Sequence, residues 1–208
     1  MKRAFRTNLN VDSYPAICQA TIARDVRLLN WFIAQGEDVN RQTASYSNFT
    51  PLHWAVALHD TMDIAQILVD AGADVDIRAK DRKTPLHRAI VRGAIEPVQF
   101  LIVNGVNIEI EWSAELTPHM PIAPAQHAIL RGDVEIFRAL VRAGCETTWS
   151  ALSLPPGNKY TATGGESVHA VEYISRMQNH HPEIRDMMLQ VLVDNRPEEV
   201  LDVWTAQP

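Results

Sequence analysis

A chain of 208 residues, 46% hydrophobic and 21% charged, has the material for one domain with a sizeable core. Its formal charge of −6, from 25 acidic and 19 basic residues, argues against a nucleic-acid partner, which calls for a basic face, and equally against an acidic or membrane-phosphate one. The absence of a signal-peptide core near Met1 and of any apolar run of membrane-span length predicts an intracellular, cytoplasmic protein without membrane contact.

Residues 1–13 hold Lys2, Arg3 and Arg6 without a clear period and read as a leader or N-terminal cap. From Tyr14 the chain settles into helical pairs. Pro15-Ala16-Ile17-Cys18 opens the first, and Asp25 starts a second helix through Leu28, Leu29, Phe32 and Ile33 to Gly36. A longer connector carrying Tyr46 and Phe49 leads to TPLHWAVALHD at Thr50. The same opening returns as TPLHRAIVRGA at Thr84, a period of 84 − 50 = 34, while the closing glycines Gly72 and Gly105 are 105 − 72 = 33 apart. Self-similarity at this spacing is the mark of a solenoid.

The repeated residues have physical reasons to recur. Thr84 caps a helix with its hydroxyl, and Pro85 starts the first turn with φ preset and no amide proton to leave unpaired. His87 lies close enough to bond back to the threonine and the loop backbone. Ala89 and Ile90 give a slim apolar face, Gly93 permits the tight turn, and Val98, Phe100, Leu101 and Ile102 supply the inward stripe of a second helix. Gly105 closes it in the left-handed conformation. Neither helix buries its apolar face alone, so copies must stack.

TPLHWAVALHDTMDIAQILVDAGADVD and TPLHRAIVRGAIEPVQFLIVNGVNIE resemble ankyrin repeats. The resemblance implies an all-α solenoid of about four to five helix-turn-helix repeats with irregular N- and C-terminal caps. The units read as 14–49, 50–83, 84–116 and 117–152, the last with an insertion over 117–122. A loop over 153–165 precedes a degenerate fifth repeat and cap over 166–208, with His169 in the place of the TPLH histidine and Asn195 in that of the closing glycine. Cys18 and Cys145, in the first and fourth units, read as small buried fillers out of disulfide reach.

No Cys-His cluster, phosphate loop or serine elbow is present, and His180-His181 lacks matching ligand spacing, so neither cofactor nor metal is expected. The position after the TPLH histidine, which in this family tends to face the concave groove, reads Gln19, Trp54, Arg88 and His127, joined by Arg92 and Arg131 one turn on. Overhanging loops add Tyr46, Lys80, Arg82, Glu109, Glu111, Trp112 and Trp149, and such aromatic and arginine side chains anchor interfaces. The resemblance therefore implies a protein-binding scaffold using Trp54, Arg88, Arg92, Trp112, His127, Arg131, Tyr46 and Trp149. The alternative is a small-molecule or enzymatic site under the insertion. There His127 or His119 would act as acid or base, Glu109 or Glu111 would orient it, Arg88 would hold an anionic group, and Trp54 and Trp112 would form the wall.

Overall fold

The computed structural model describes residues 14–44, 47–112, 122–150, 167–175 and 182–205. Four helix pairs come first: α1 (Ala16–Ala23) with α2 (Val26–Ala34), α3 (Pro51–Ala57) with α4 (Met62–Asp70), α5 (Pro85–Arg92) with α6 (Ile95–Val103), and α7 (Pro124–Arg131) with α8 (Val134–Arg142). The first helices of the pairs stack in one row, α1 on α3, α3 on α5 and α5 on α7, and α6, α8 and the later α10 continue a second row. This is the all-α solenoid expected.

Local chemistry explains the row. In α3 the Thr50 hydroxyl accepts from the His53 amide at 3.3 Å, and His53 Nδ1 accepts from the Thr50 amide at 3.3 Å. Because Nδ1 is an acceptor, the ring proton sits on Nε2 and donates to the Lys83 carbonyl at 3.1 Å, tying one unit to the next loop. Thr84 and His87 repeat the arrangement at the start of α5. In α7 the pair becomes Ala123 and Gln126, whose Oε1 accepts from the Ala123 amide at 2.9 Å. The amide side chain thus replaces the imidazole. The slim inner faces of Leu52, Ala55, Leu86, Ala89 and Ala128 are fully buried, with Leu29, Leu68, Leu101 and Phe137 from the outer row closing the core.

One glycine is required twice over. Gly93 ends α5 at φ 68, and a Cβ there would lie 3.1 Å from Arg131 Nη2. The corresponding turn after α3 has no glycine: Leu58 ends the helix in an extended conformation.

The C-terminal part departs from expectation. The degenerate repeat expected from residue 166 opens with a strand, β2 (Ser167–His169), that pairs antiparallel with β1 (Thr148–Ser150), and α9 (Ala170–Ser175) follows. β-branched and aromatic residues at 148, 149 and 168 suit a short pairing of this kind. His169 stands just before α9, where its Nδ1 accepts from the Val171 amide at 3.2 Å, so it caps the helix instead of sitting in its first turn. Asn195 does not take a left-handed closing conformation. It is the last residue of α10 (Pro182–Asn195), its side chain donates to the Val191 carbonyl at 2.7 Å, and α11 (Pro197–Thr205) follows. Pro197 ends α10 by disfavouring the helical conformation at Arg196. The leader over 1–13 and the loop over 153–165 lie outside the described residues, as does the insertion except Ile122, whose backbone bridges Trp112.

Candidate functional site

Trp54, Arg88 and His127, from three successive units, lie along one run of ring and charge contacts. Trp54 lies 5.8 Å from the Tyr14 ring and 5.2 Å from Phe49, centroid to centroid. Phe49 also stacks on His53 at 5.4 Å, and the Arg88 guanidinium lies over the Phe49 ring at 4.3 Å. Arg88 Nη2 meets Asp81 Oδ2 at 2.5 Å, and Lys83 Nζ reaches the same oxygen at 3.4 Å. Lys83 in turn stands 4.2 Å over the Trp112 ring, which stacks on His127 at 5.7 Å. Trp112 is held in place by its own Nε1, donating to the Asp81 carbonyl at 3.1 Å, and by the backbone bridge to Ile122. An aromatic cluster of Tyr14, Trp54 and Phe49 is thus joined through Arg88, Asp81 and Lys83 to Trp112 and His127.

The row retains polar capacity that the fold does not use. Trp54 Nε1, Arg88 Nε and His127 Nδ1 are buried polar atoms with no hydrogen-bond partner in the protein. Burial first, and then the nearby Arg131 and Lys83 charges, pull the His127 imidazole down to about 4, so it is neutral at physiological pH. Gln19, at the N-terminal end, turns away to donate to the Tyr14 carbonyl at 2.9 Å.

Other expected members have structural work instead. Arg92 donates to the carbonyls of Ala57 and, at 3.2 Å, Leu58, closing the glycine-less end of α3 from the neighbouring unit. A cation there also complements the helix dipole. Arg131 bonds Asp133 at 2.6 Å and lies over the Gly93 turn.

Glu109 and Glu111 do not join His127. Glu109 Oε1 accepts from the Glu146 amide at 2.8 Å, as Asp76 Oδ1 does from the Asn107 amide at 2.9 Å and Asn40 Oδ1 from the Asp74 amide at 2.8 Å. The three acceptors each stand four residues after a turn glycine, Gly36, Gly72 and Gly105, and form one ladder at the loop bases. Burial pushes the Glu109 carboxyl up, against the Glu146 amide, which favours the ionised form. Glu111 meets Arg78 through its backbone carbonyl. No hydrogen bond or ion pair joins Glu109 or Glu111 to His127 among the described residues. Tyr46, His119 and the His180-His181 pair lie outside the described residues, and Trp149 is placed only through its backbone pairing with Val168. Asp81, Lys83 and Tyr14 were not singled out for the row; the position immediately before the capping threonine was the available signal for Lys83.

A second cleft, of about 430 Å³, opens at the C-terminal end between Gly144–Thr148 and α11. Thr147 Oγ1 donates to Glu199 Oε2 at 2.5 Å, His169 Nε2 lies 3.4 Å from the same oxygen, and Arg196 Nη1 holds Oε1 at 2.6 Å. Burial raises the Glu199 carboxyl, but these three donors outweigh it and leave its pKa lowered. Since His169 Nδ1 is spent on the helix cap, no imidazole lone pair is left to activate Thr147. The cluster joins elements; it is not a catalytic triad. Among the described residues no group of three or more His, Cys, Asp or Glu side chains is arranged to hold a metal ion, and no helix is long and apolar enough to cross a membrane.

Residues 17–111 match the family description of ankyrin repeats in three copies. The chain carries ankyrin repeats. It is 29% identical over 139 residues to a probable E3 ubiquitin-protein ligase, XBOS31, of Oryza sativa subsp. japonica, covering 66% of this chain and 29% of the relative. It is 24% identical over 126 residues to the ankyrin repeat protein OPG189 of variola virus, covering 61% and 22%. It is 28% identical over 116 residues to the B-cell lymphoma 3 protein homolog of Mus musculus, covering 55% and 24%. The chain thus spans less than a third of the length of these relatives. Ankyrin repeats generally mediate protein–protein interaction.

Proposed function

We propose that the row from Tyr14 to His127 is a docking groove through which this ankyrin-repeat chain binds a segment of a partner protein. The observation that carries the reading is the continuous run of aromatic and cationic side chains in contact over successive units. Such groups bury large area at small entropic cost and dominate interface energetics. Cys18 and Cys145, both free and buried, fit a reducing, intracellular setting.

The test is capture from source extract by the wild-type chain beside a Trp54→Ala, Arg88→Ala, Trp112→Ala triple variant, with a thermal melt of each. Loss of the captured protein at an unfolding midpoint within a few degrees of wild type is expected. Retained capture by the folded triple variant would place the interface elsewhere.

A further inference from the structure

The chain's negative charge conceals a strongly basic strip. Between residues 78 and 92 lie Arg78, Lys80, Arg82, Lys83, Arg88 and Arg92, with Asp81 the single acid, a local charge of +5 in a chain of −6. The rest of the sequence therefore sums to −11. Arg78, Lys80 and Arg82 are exposed on the loop before α5, and Arg82 holds the turn at a φ of 64. Lys83 and Arg88 are half-buried in the groove wall, with side chains 16% and 21% exposed.

Asp81 is the telling residue. Its one carboxylate oxygen serves both Arg88 and Lys83, so the groove already contains a carboxylate bound between its two central cations. Phe49 and Trp54 flank this pair on one side and Trp112 on the other. We infer that the groove takes an acidic, extended peptide segment, whose carboxylates bind Arg88, Lys83 and the basic loop while apolar side chains on either side meet the aromatic rings. This rests on the docking-groove reading above and specifies its partner. Neighbouring units lie about 10 Å apart in packed helices, and an extended chain rises about 3.3 Å per residue, so the apolar anchors fall about three residues before and after the acids. The overall-charge argument against an acidic partner fails because the field is local: exposed charges beyond about 10 Å are screened at ordinary ionic strength.

A continuous polyanion fits worse. The turns on either side carry Asp74 and Asp76, and Glu109, Glu111 and Glu146, so the basic strip is one unit wide. A nucleic-acid backbone, charged at every nucleotide, would run from it into repulsive ground.

The full chain is used as bait against a display library of extended peptides with randomised positions, and enriched sequences are synthesised with fluorescein and measured by anisotropy. Enrichment of acidic pairs with apolar flanks is expected, with binding that weakens as salt rises. Exchanging the acids for their amides, or combining Arg88→Gln with Lys83→Gln, should weaken binding about tenfold or more, as loss of charge-assisted hydrogen bonds does. Asp81→Asn should strengthen it about threefold to fivefold by removing the internal competitor, the scale of an exposed ion pair. A purely structural Asp81 would give the opposite result. Enrichment of neutral or basic peptides that Trp54→Ala abolishes would overturn the acidic inference and leave the groove standing. Acidic peptides indifferent to Trp54, Lys83 and Arg88 would overturn both. No enrichment, or an oligothymidylate bound more tightly than any peptide at the same cations, would overturn the inference.

Discussion

The second and third helix pairs and the C-terminal one each use a histidine to start a helix, and His53 and His169 also bond a neighbouring element, but they do so by different routes. His53 and His87 are buried, and their capping partners Thr50 and Thr84 lie three residues away, so each latch forms as its helix forms. His169 works across distance. Its ring meets Glu199, 30 residues on, and Glu199 meets Thr147, 52 residues back. His53 also closes 30 residues, to Lys83, but only the C-terminal cluster adds a second closure of 52 residues, through Glu199 to Thr147, and so requires more of the chain to have folded around it. The inner latches are thus repeat chemistry, whereas the C-terminal cluster is tertiary chemistry built on a partly exposed carboxylate.

The contrast is broken most severely at His53. The ring is fully buried and bonded at both nitrogens. His53→Ala leaves the Thr50 amide and Lys83 carbonyl unpaired and opens a cavity, an expected cost of about 3 kcal/mol. Urea denaturation measures it, and a loss below about 1 kcal/mol would show that the latch is dispensable.

Much of this was legible beforehand, because a Thr-Pro-x-His run dictates cap, first turn and return hydrogen bond within four residues. The row itself followed from register: Trp54, Arg88 and His127 are where the repeat places them. What could not be read depends on neighbours. Arg92 looked like a groove residue, yet it closes α3, because the missing glycine lies in the adjacent unit. Glu109 looked chemical, although its place four residues after Gly105 aligns it with Asn40 and Asp76 in a structural ladder. His169 was placed by order along the chain, and three-residue strands such as β1 and β2 carry too little pattern to announce the pairing that displaces it from the helix.

The next test uses acid. Burial, the largest influence, pulls His53 down to about 4 and His87 to about 3, with Arg88 adding to the effect at His53 and His127 at His87. Their folded pKa values lie below the unfolded value of 6.5, so between there and the folded values the unfolded chain binds more protons. Stability from these groups is complete above 6.5 and falls as the pH drops through that window. At about pH 5 the expected loss is about 1 to 2 kcal/mol per histidine. Chemical denaturation across this range checks it: a His53→Gln, His87→Gln variant should start less stable and show a flatter dependence, and an equal slope would assign the acid sensitivity to other groups.

Glu199→Gln has the smallest expected effect and the most local one. The side chain is 37% exposed, so screening limits its ion pairs, and the amide keeps an oxygen for Thr147 or Arg196. The global cost should be about 0.5 to 1 kcal/mol. Its own acid-linked contribution runs the same way in pH but lower. With a folded pKa below the ordinary 4.5, the stabilisation is present above that value and is lost beneath it, outside most of the histidine window. Hydrogen exchange separates the two regions: amides of α9 and α11 should exchange faster in the variant while those of α3 and α5 keep their protection. Uniform acceleration would mean that the C-terminal cluster and the inner latches belong to one cooperative unit, because a stacked array transmits a terminal defect only as far as its neighbour interfaces hold.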